Sequence, residues 1–197
     1  MRSRFRPQTS INTVWTIGHS TRELDAFLTL LTENKIESLA DVRRFPGSRR
    51  HPHFNREALP ATLQNVGITY THFPALGGRR NVARASDPGR PKTANNSAWR
   101  VAAFAAYADY MLTEDFKAAF NDLQTVAAQQ RAAIMCAEAL PWRCHRRLIA
   151  DQFIAGGWEV HDIIGSNKTT LHTLPDFAVV KAGQVTYPGN SRPLFDH

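Results

Sequence analysis

The chain has 197 residues, 43% of them hydrophobic, with a formal net charge of +7 and a pI near 9.9. That length fits one domain with an ordinary core. No apolar run approaches the ~20 residues of a membrane span, and the basic start at residues 1–10 lacks the apolar region of a signal peptide. Two cysteines make no disulfide framework, so the expectation is a cytoplasmic protein with reduced thiols. The positive excess is rich in arginine and clustered. Arginine suits phosphate because its planar fork donates two parallel hydrogen bonds. An anionic partner is therefore expected, against the plainer reading of a solubilising surface.

Residues 1–12 read as a flexible basic arm and 13–197 as a single domain. Residues 13–17, TVWTI, have the β-branched and aromatic content of a strand. Ser20 or Thr21 then stands ready to cap a helix whose apolar face is Leu24, Phe27, Leu28 and Leu31. Residues 36–42 form the next expected strand, ending in Asp41-Val42-Arg43. Residues 44–55, RFPGSRRHPHFN, follow neither period and read as a loop after that strand. Asn55 is expected to cap a helix over 56–66 with Leu59, Leu63 and Val66 inward, and Gly67 to end it in the left-handed region. A third strand is expected over 68–73.

Residues 74–97 read as a long loop rich in glycine, proline and positive charge. Such a loop in a compact domain is usually functional or disordered. Helices are expected over 99–112, with Phe104, Tyr107 and Met111 on one face, and over 114–130, marked by Phe116, Phe120, Leu123 and Ala127. Residues 132–135 read as the end of a buried strand. Pro141 fits the first position of a helix, where its missing N–H costs nothing. Cys144, His145 and Arg146 would then occupy that helix's first turns, with Leu148, Ile149 and Phe153 inward. A strand over 159–164, a turn at Gly165-Ser166-Asn167 and a short hairpin around Ala182-Gly183 complete the chain. Strands alternating with helices argue for an α/β three-layer sandwich with a mainly parallel sheet.

In open α/β sheets ligands bind beyond the C-terminal ends of the strands. Gly18-His19-Ser20, Asp41-Arg43, His72 and Cys136-Glu138 all follow expected strands, so a site is expected there. Cys144, near a helix N-terminus and beside His145 and arginines, is the candidate nucleophile; the alternative is a buried thiol that only packs. Cys136 reads as structural. Glu138 is the candidate general acid or base, against a bracing ion pair with Arg43, Arg143 or Arg146. Asp41 would orient Arg43 or a histidine, or share acid–base work with Glu138. His19 and His145 are candidate proton carriers. Ser20, Arg43, Ser48, Arg49, Arg50, Arg79, Arg80, Arg84, Arg143 and Arg146 are candidate anion contacts. Phe45, His51, His53 and Phe54 are interleaved with them as candidate base-stacking groups.

No cofactor is expected, since neither G-x-x-x-x-G-K-[ST] nor G-x-G-x-x-G occurs. His19 and His145 could instead bind a metal with Cys136 and Cys144, but no metal is expected, since their spacing matches no standard zinc pattern. There is no C-x-x-C, and Arg143 follows Cys136 after six residues rather than five, so a thiol phosphatase loop is not matched.

TIGHS at 16–20, DVRRFPGSR at 41–49, ITYTHFPALGG at 68–78 and MCAEALPWRCHR at 135–146 together resemble the family called domain of unknown function 488, over roughly residues 13–163. The residues that match its pattern are Gly18, Ser20, Asp41, Arg43, Pro46, Ser48, Cys136, Glu138, Cys144, His145 and Arg146. The resemblance brings no established catalytic residue. Labels on some members hint at DNA repair.

The functional expectation is a small enzyme acting on a phosphate-bearing substrate, a nucleotide or a nucleic acid such as DNA or RNA. Its reaction would be base or glycosidic cleavage, or thiol-based transfer. The alternatives are a non-catalytic nucleic-acid-binding module and a domain whose basic loops meet an acidic protein partner. Membrane association is not expected.

Overall fold

The computed structural model describes residues 12–78 and 96–189. Six strands form one sheet in the order β3-β2-β4-β1-β5-β6. These are β1 (Thr13–Gly18), β2 (Ser38–Asp41), β3 (Thr69–His72), β4 (Ala132–Cys136), β5 (Glu159–Gly165) and β6 (Lys168–Leu171). All neighbours are parallel except β5 and β6, which pair antiparallel through the turn at Asn167. The expected hairpin forms a separate ribbon of β7 (Val179–Lys181) and β8 (Gln184–Thr186).

Side chains alternate across the central strands, because successive residues of a strand point to opposite faces. Trp15, Ile17, Leu39, Ala133 and Met135 face α1 (Leu24–Glu33) and α2 (Leu59–Gln64), packing on Phe27, Leu31, Leu59 and Leu63. Val14, Ala40, Ile134 and Cys136 face the opposite layer. That layer holds α3 (Ala102–Tyr110), α4 (Glu114–Gln129) and α5 (Arg146–Ala155), through Tyr107, Phe116, Phe120, Leu148 and Phe153. The result is the expected α/β sandwich. No helix among the described residues is long and apolar enough to cross a membrane.

Several local expectations are corrected. Neither Ser20 nor Thr21 caps α1: its N-cap is Glu23, with no side-chain cap, and Ser20 instead sits in the left-handed region at φ +50°. Asn55 does not cap α2, which begins at Leu59; its side-chain oxygen accepts the Ser48 N–H at 2.6 Å and so fastens the preceding loop. Leu59 and Leu63 are buried as expected, but Val66 is exposed because α2 ends before it. Gly67 does adopt a left-handed φ of +75°. The helix expected over 99–112 is shorter, starting at Ala102. Pro141 opens a single 3-10 turn, Pro141–Arg143, rather than α5. Cys144 is therefore extended, at φ −126° and ψ 145°, and α5 starts at Arg146. β6 had no apolar signal to reveal it, since all four of its residues are exposed.

β4 lies between β1 and β2, so the chain segments leaving these three strands meet. The N–H of His19 donates to Cys136 O at 3.0 Å, that of Ser20 to Ala137 O at 2.9 Å, and that of Val42 to Met135 O at 3.0 Å. The loop after β4 lies directly on the end of β1. A Cβ on Gly18 would stand 1.9 Å from Glu138 O and 2.9 Å from Ala139 Cα. Both neighbours are backbone, so nothing can swing aside. Gly18→Ala is expected to lower stability by about 1–3 kcal/mol, the usual range for overpacking, measured by urea unfolding. A variant as stable as the parent would show that the loop is not held against β1.

Candidate functional site

The strand ends open into a cleft of about 630 Å³ lined by His19, Ser20, Arg43, Phe45, Ser48, His51, Gly78, Tyr107, Cys136, Glu138, Arg143, Cys144 and His145. The turns after β1, β2 and β4 build it, together with Gly78 and with Phe104 and Tyr107 of α3.

Its floor is a sulfur–imidazole cluster. His145 Nδ1 lies 3.6 Å from Cys144 Sγ and 3.9 Å from Cys136 Sγ. Its other ring nitrogen, Nε2, lies 3.2 Å from Val42 O. A carbonyl can only accept, so Nε2 carries the proton and the Nδ1 lone pair is turned to the two sulfurs. Tyr107 packs beside this ring with centroids 5.1 Å apart. Both cysteines are free and buried.

The structure separates the two thiols in the opposite sense to the sequence argument. The hydrogen bond from Cys144, with help from the Glu138 N–H and against the opposing effect of burial, holds the Cys136 thiol well below its ordinary range. Its role as donor to Cys136, together with burial, pushes the Cys144 thiol well above. Cys136 is thus the thiol that ionises first, and Cys144 keeps its proton. The feature that could have pointed to Cys136 is its place at the C-terminal end of the central strand. Cys144 stands just outside α5 and its sulfur still accepts the Arg146 N–H at 3.5 Å, but that bond is outweighed by the pairing with Cys136 and by burial.

A second cluster centres on Arg43. Asp41 is fully buried and accepts Arg43 Nη2 at 2.6 Å, Nε at 2.9 Å and the Tyr70 hydroxyl at 2.7 Å. Burial and the Asp41 charge push the Tyr70 phenol upward. Arg43 also donates from Nη2 to Phe54 O at 2.8 Å, and Nη1 lies 3.1 Å from His19 Nε2. His19 Nδ1 in turn faces Ser20 O at 3.0 Å. This fixes His19 as a neutral ring that donates from Nδ1 and accepts at Nε2. Burial first, and then Arg43, bring its pKa down to about 4, so the ring is uncharged at neutral pH. Asp41 is a positioning residue beneath the cleft wall rather than a group open to substrate.

The remaining candidates divide sharply. Glu138 and Arg143 are exposed on the cleft wall, and neither side chain has a polar partner among the described residues. The bracing ion pair considered for Glu138 is therefore absent there. Arg146 is only 1% exposed and faces away from the cleft. Its guanidinium donates to the carbonyls of Glu138 and of Ala139, the latter at 2.8 Å, and to Thr16 Oγ1 at 3.3 Å. It is a staple for the site loop, not an anion contact. Ser48 lines the cleft, with its Oγ accepting the His51 N–H at 3.1 Å. Arg49 and Arg50 are exposed outside the cleft lining. Arg79, Arg80 and Arg84 lie outside the described residues. Phe45 (70% exposed) and His51 reach the cleft, but Phe54 is buried between His19, at a centroid distance of 4.3 Å, and Phe27, at 5.1 Å, so it cannot stack on a base.

Residues 23–153 match the family model described as domain of unknown function DUF488. The chain belongs to this family. The matched span holds every residue of the sulfur–imidazole cluster and the Asp41–Arg43 pair, while His19 and Ser20 precede it. No curated protein and no solved structure shows a detectable match to this DUF488 chain.

Proposed function

We propose that this DUF488 protein is a hydrolytic enzyme for a phosphate-bearing substrate, a nucleotide or a nucleic acid, bound at the mouth of the sheet. One observation carries the reading. A single cleft gathers a thiol pair on an imidazole of fixed tautomer, a carboxylate and a guanidinium without polar partners among the described residues, and the neutral His19–Arg43 wall. Structural ion pairs would satisfy one another; Glu138 and Arg143 do not. Arg143 suits a phosphate through its fork, and Glu138 suits proton transfer from the attacking nucleophile. Phe45 and His51 supply flat surfaces at the rim. The buried thiol and imidazole mark the end of the cleft where the reacting atom sits.

The test is the intact mass of single-stranded and duplex DNA and RNA oligomers, damaged bases included, and of nucleotides after incubation at low salt. A mass loss or gain of water in the oligomer or nucleotide is expected. Glu138→Gln and Cys136→Ser should each lower turnover by about 100-fold or more, in the range of lost acid–base groups, and leave substrate affinity within a few-fold. Equal loss of binding and turnover would favour a second reading, a nucleic-acid-binding module. The exposed Arg49, Arg50 and Phe45 beside the cleft support that alternative.

A further inference from the structure

We propose that Cys136 Sγ, Cys144 Sγ and His145 Nδ1 form a three-ligand site for a zinc-class divalent ion, with its fourth position open to the cleft. The spacing along the chain matches no zinc motif, because two of the ligands are adjacent. The fold nevertheless brings all three donor atoms within 4.8 Å of one another.

Two of the three edges of the donor triangle match a face of a tetrahedron, and the third, between the sulfurs, lies within 4.8 Å. Zinc bonds of about 2.3 Å to sulfur and about 2.0–2.1 Å to nitrogen imply N···S edges of roughly 3.6 Å. The observed separations are 3.6 and 3.9 Å. The imidazole is also dressed as a metal ligand is. Its far N–H is held by a backbone carbonyl, Val42 O, which fixes the tautomer and aims the lone pair. The space at that nitrogen is kept clear by a glycine: a Cβ on Gly78 would stand 2.7 Å from Nδ1. Two thiolates and an imidazole are a donor set that favours zinc over harder cations such as magnesium or calcium.

The proposal deepens the enzymatic reading and rests on it for chemistry, though not for binding. Loading the ion displaces the two thiol protons to solvent. A water in the fourth position loses a proton to Glu138, and its oxygen bonds to the electrophilic atom of the substrate. The bond to the leaving group breaks, and Glu138 returns the proton to that group. All three ligand residues and Glu138 line the same cleft.

The experiment is titration of the reduced, chelator-stripped full chain with cobalt(II), followed by displacement with zinc. One cobalt per chain is expected, with a thiolate-to-cobalt charge-transfer band and the intense visible bands of a tetrahedral ion. Cys136→Ser and Cys144→Ser should each weaken binding by more than about 100-fold, and Gly78→Ala by about 10-fold, the scale of changes around a metal ligand. Glu138→Gln should keep full stoichiometry while losing turnover. Absence of the charge-transfer band, or uptake unchanged in both serine variants, would overturn the site and leave a thiol–imidazole hydrogen-bond network.

Should the variants fail to fold, the native chain decides. Zinc should slow alkylation of both cysteines, and equal rates with and without zinc would overturn the proposal. Turnover by metal-free protein would overturn the metal's part in the chemistry but keep the enzyme. Stoichiometric zinc with no turnover on any phosphate-bearing substrate would do the reverse.

Discussion

Replacing Arg146 by methionine is expected to destabilise the protein by roughly 3–5 kcal/mol, the summed cost of leaving its buried acceptors unmet. Methionine keeps much of the apolar stem, so the loss falls on the guanidinium. Its donors hold Glu138 O, Ala139 O and Thr16 Oγ1. A buried ionic group can sometimes be exchanged for an apolar one at no cost, but only when its partners are exchanged with it. Here two backbone carbonyls stay behind, and each buried acceptor left unmet costs about 1–3 kcal/mol. The site should suffer as well, since those carbonyls belong to the loop that carries Glu138. Urea unfolding reads the stability. Arg146→Lys, which can still reach one or two of the acceptors, should recover part of the loss. A methionine variant within about 1 kcal/mol of the parent, the error of such comparisons, would remove Arg146 from its bracing role.

Arg146 also shows where sequence reasoning reached its limit. The strands, the helical faces of α1, α4 and α5 and the left-handed Gly67 were legible because periodicity and capping are local. The gathering of residues at the strand ends was legible too, because it follows from a parallel sheet. What an arginine beside Cys144 and His145 does is not local. It reads as an anion contact until the 137–140 loop is seen folded over Gly18, where the carbonyls of Glu138 and Ala139 meet it.

The same loop decides between the cysteines. It ends in a 3-10 turn that sets Cys144 against Cys136, and the hydrogen bond between the two thiols favours ionisation of Cys136. Phe54 has the same lesson on a smaller scale: in an arginine-rich loop it looks like a stacking surface, yet it closes the core beneath His19. The proposed metal ligands Cys136, Cys144 and His145 fall outside the spacing rules for another reason. Spacing rules describe ligands carried by separate turns of chain, whereas here an adjacent Cys-His pair meets a strand end.

The least legible feature sits on the far side of Arg146. His172 is buried between two carboxylates, with Nδ1 2.8 Å from Asp162 and Nε2 2.9 Å from Asp151. Thr16 joins Asp162 to Arg146, and the Tyr187 hydroxyl donates to Asp151 at 2.6 Å. The network thus runs from the site loop to the C-terminal ribbon through residues far apart in sequence. Both ring nitrogens of His172 face carboxylates, so the ring is an imidazolium. Burial opposes that charge, but the hydrogen bonds to Asp151 and Asp162 outweigh it and bring the pKa up to about 9 from 6.5.

A folded-state pKa above the unfolded one stabilises fully below pH 6.5 and loses that contribution as pH rises through about 9. The magnitude is roughly 3 kcal/mol at about 1.4 kcal/mol per pKa unit. The Cys136 thiol, held low in the fold, contributes with the opposite sign, its share being lost as pH falls. The His172 contribution is therefore read from a difference. His172→Gln should be less stable than the parent by roughly 3–5 kcal/mol below pH 6.5, because two buried carboxylates lose their cation. That gap should narrow by roughly 3 kcal/mol between pH 6.5 and 9. Urea unfolding of both proteins across that range measures it. A gap that stays constant with pH would mean that His172 is neutral in the fold, and that Asp151 or Asp162 holds the proton instead.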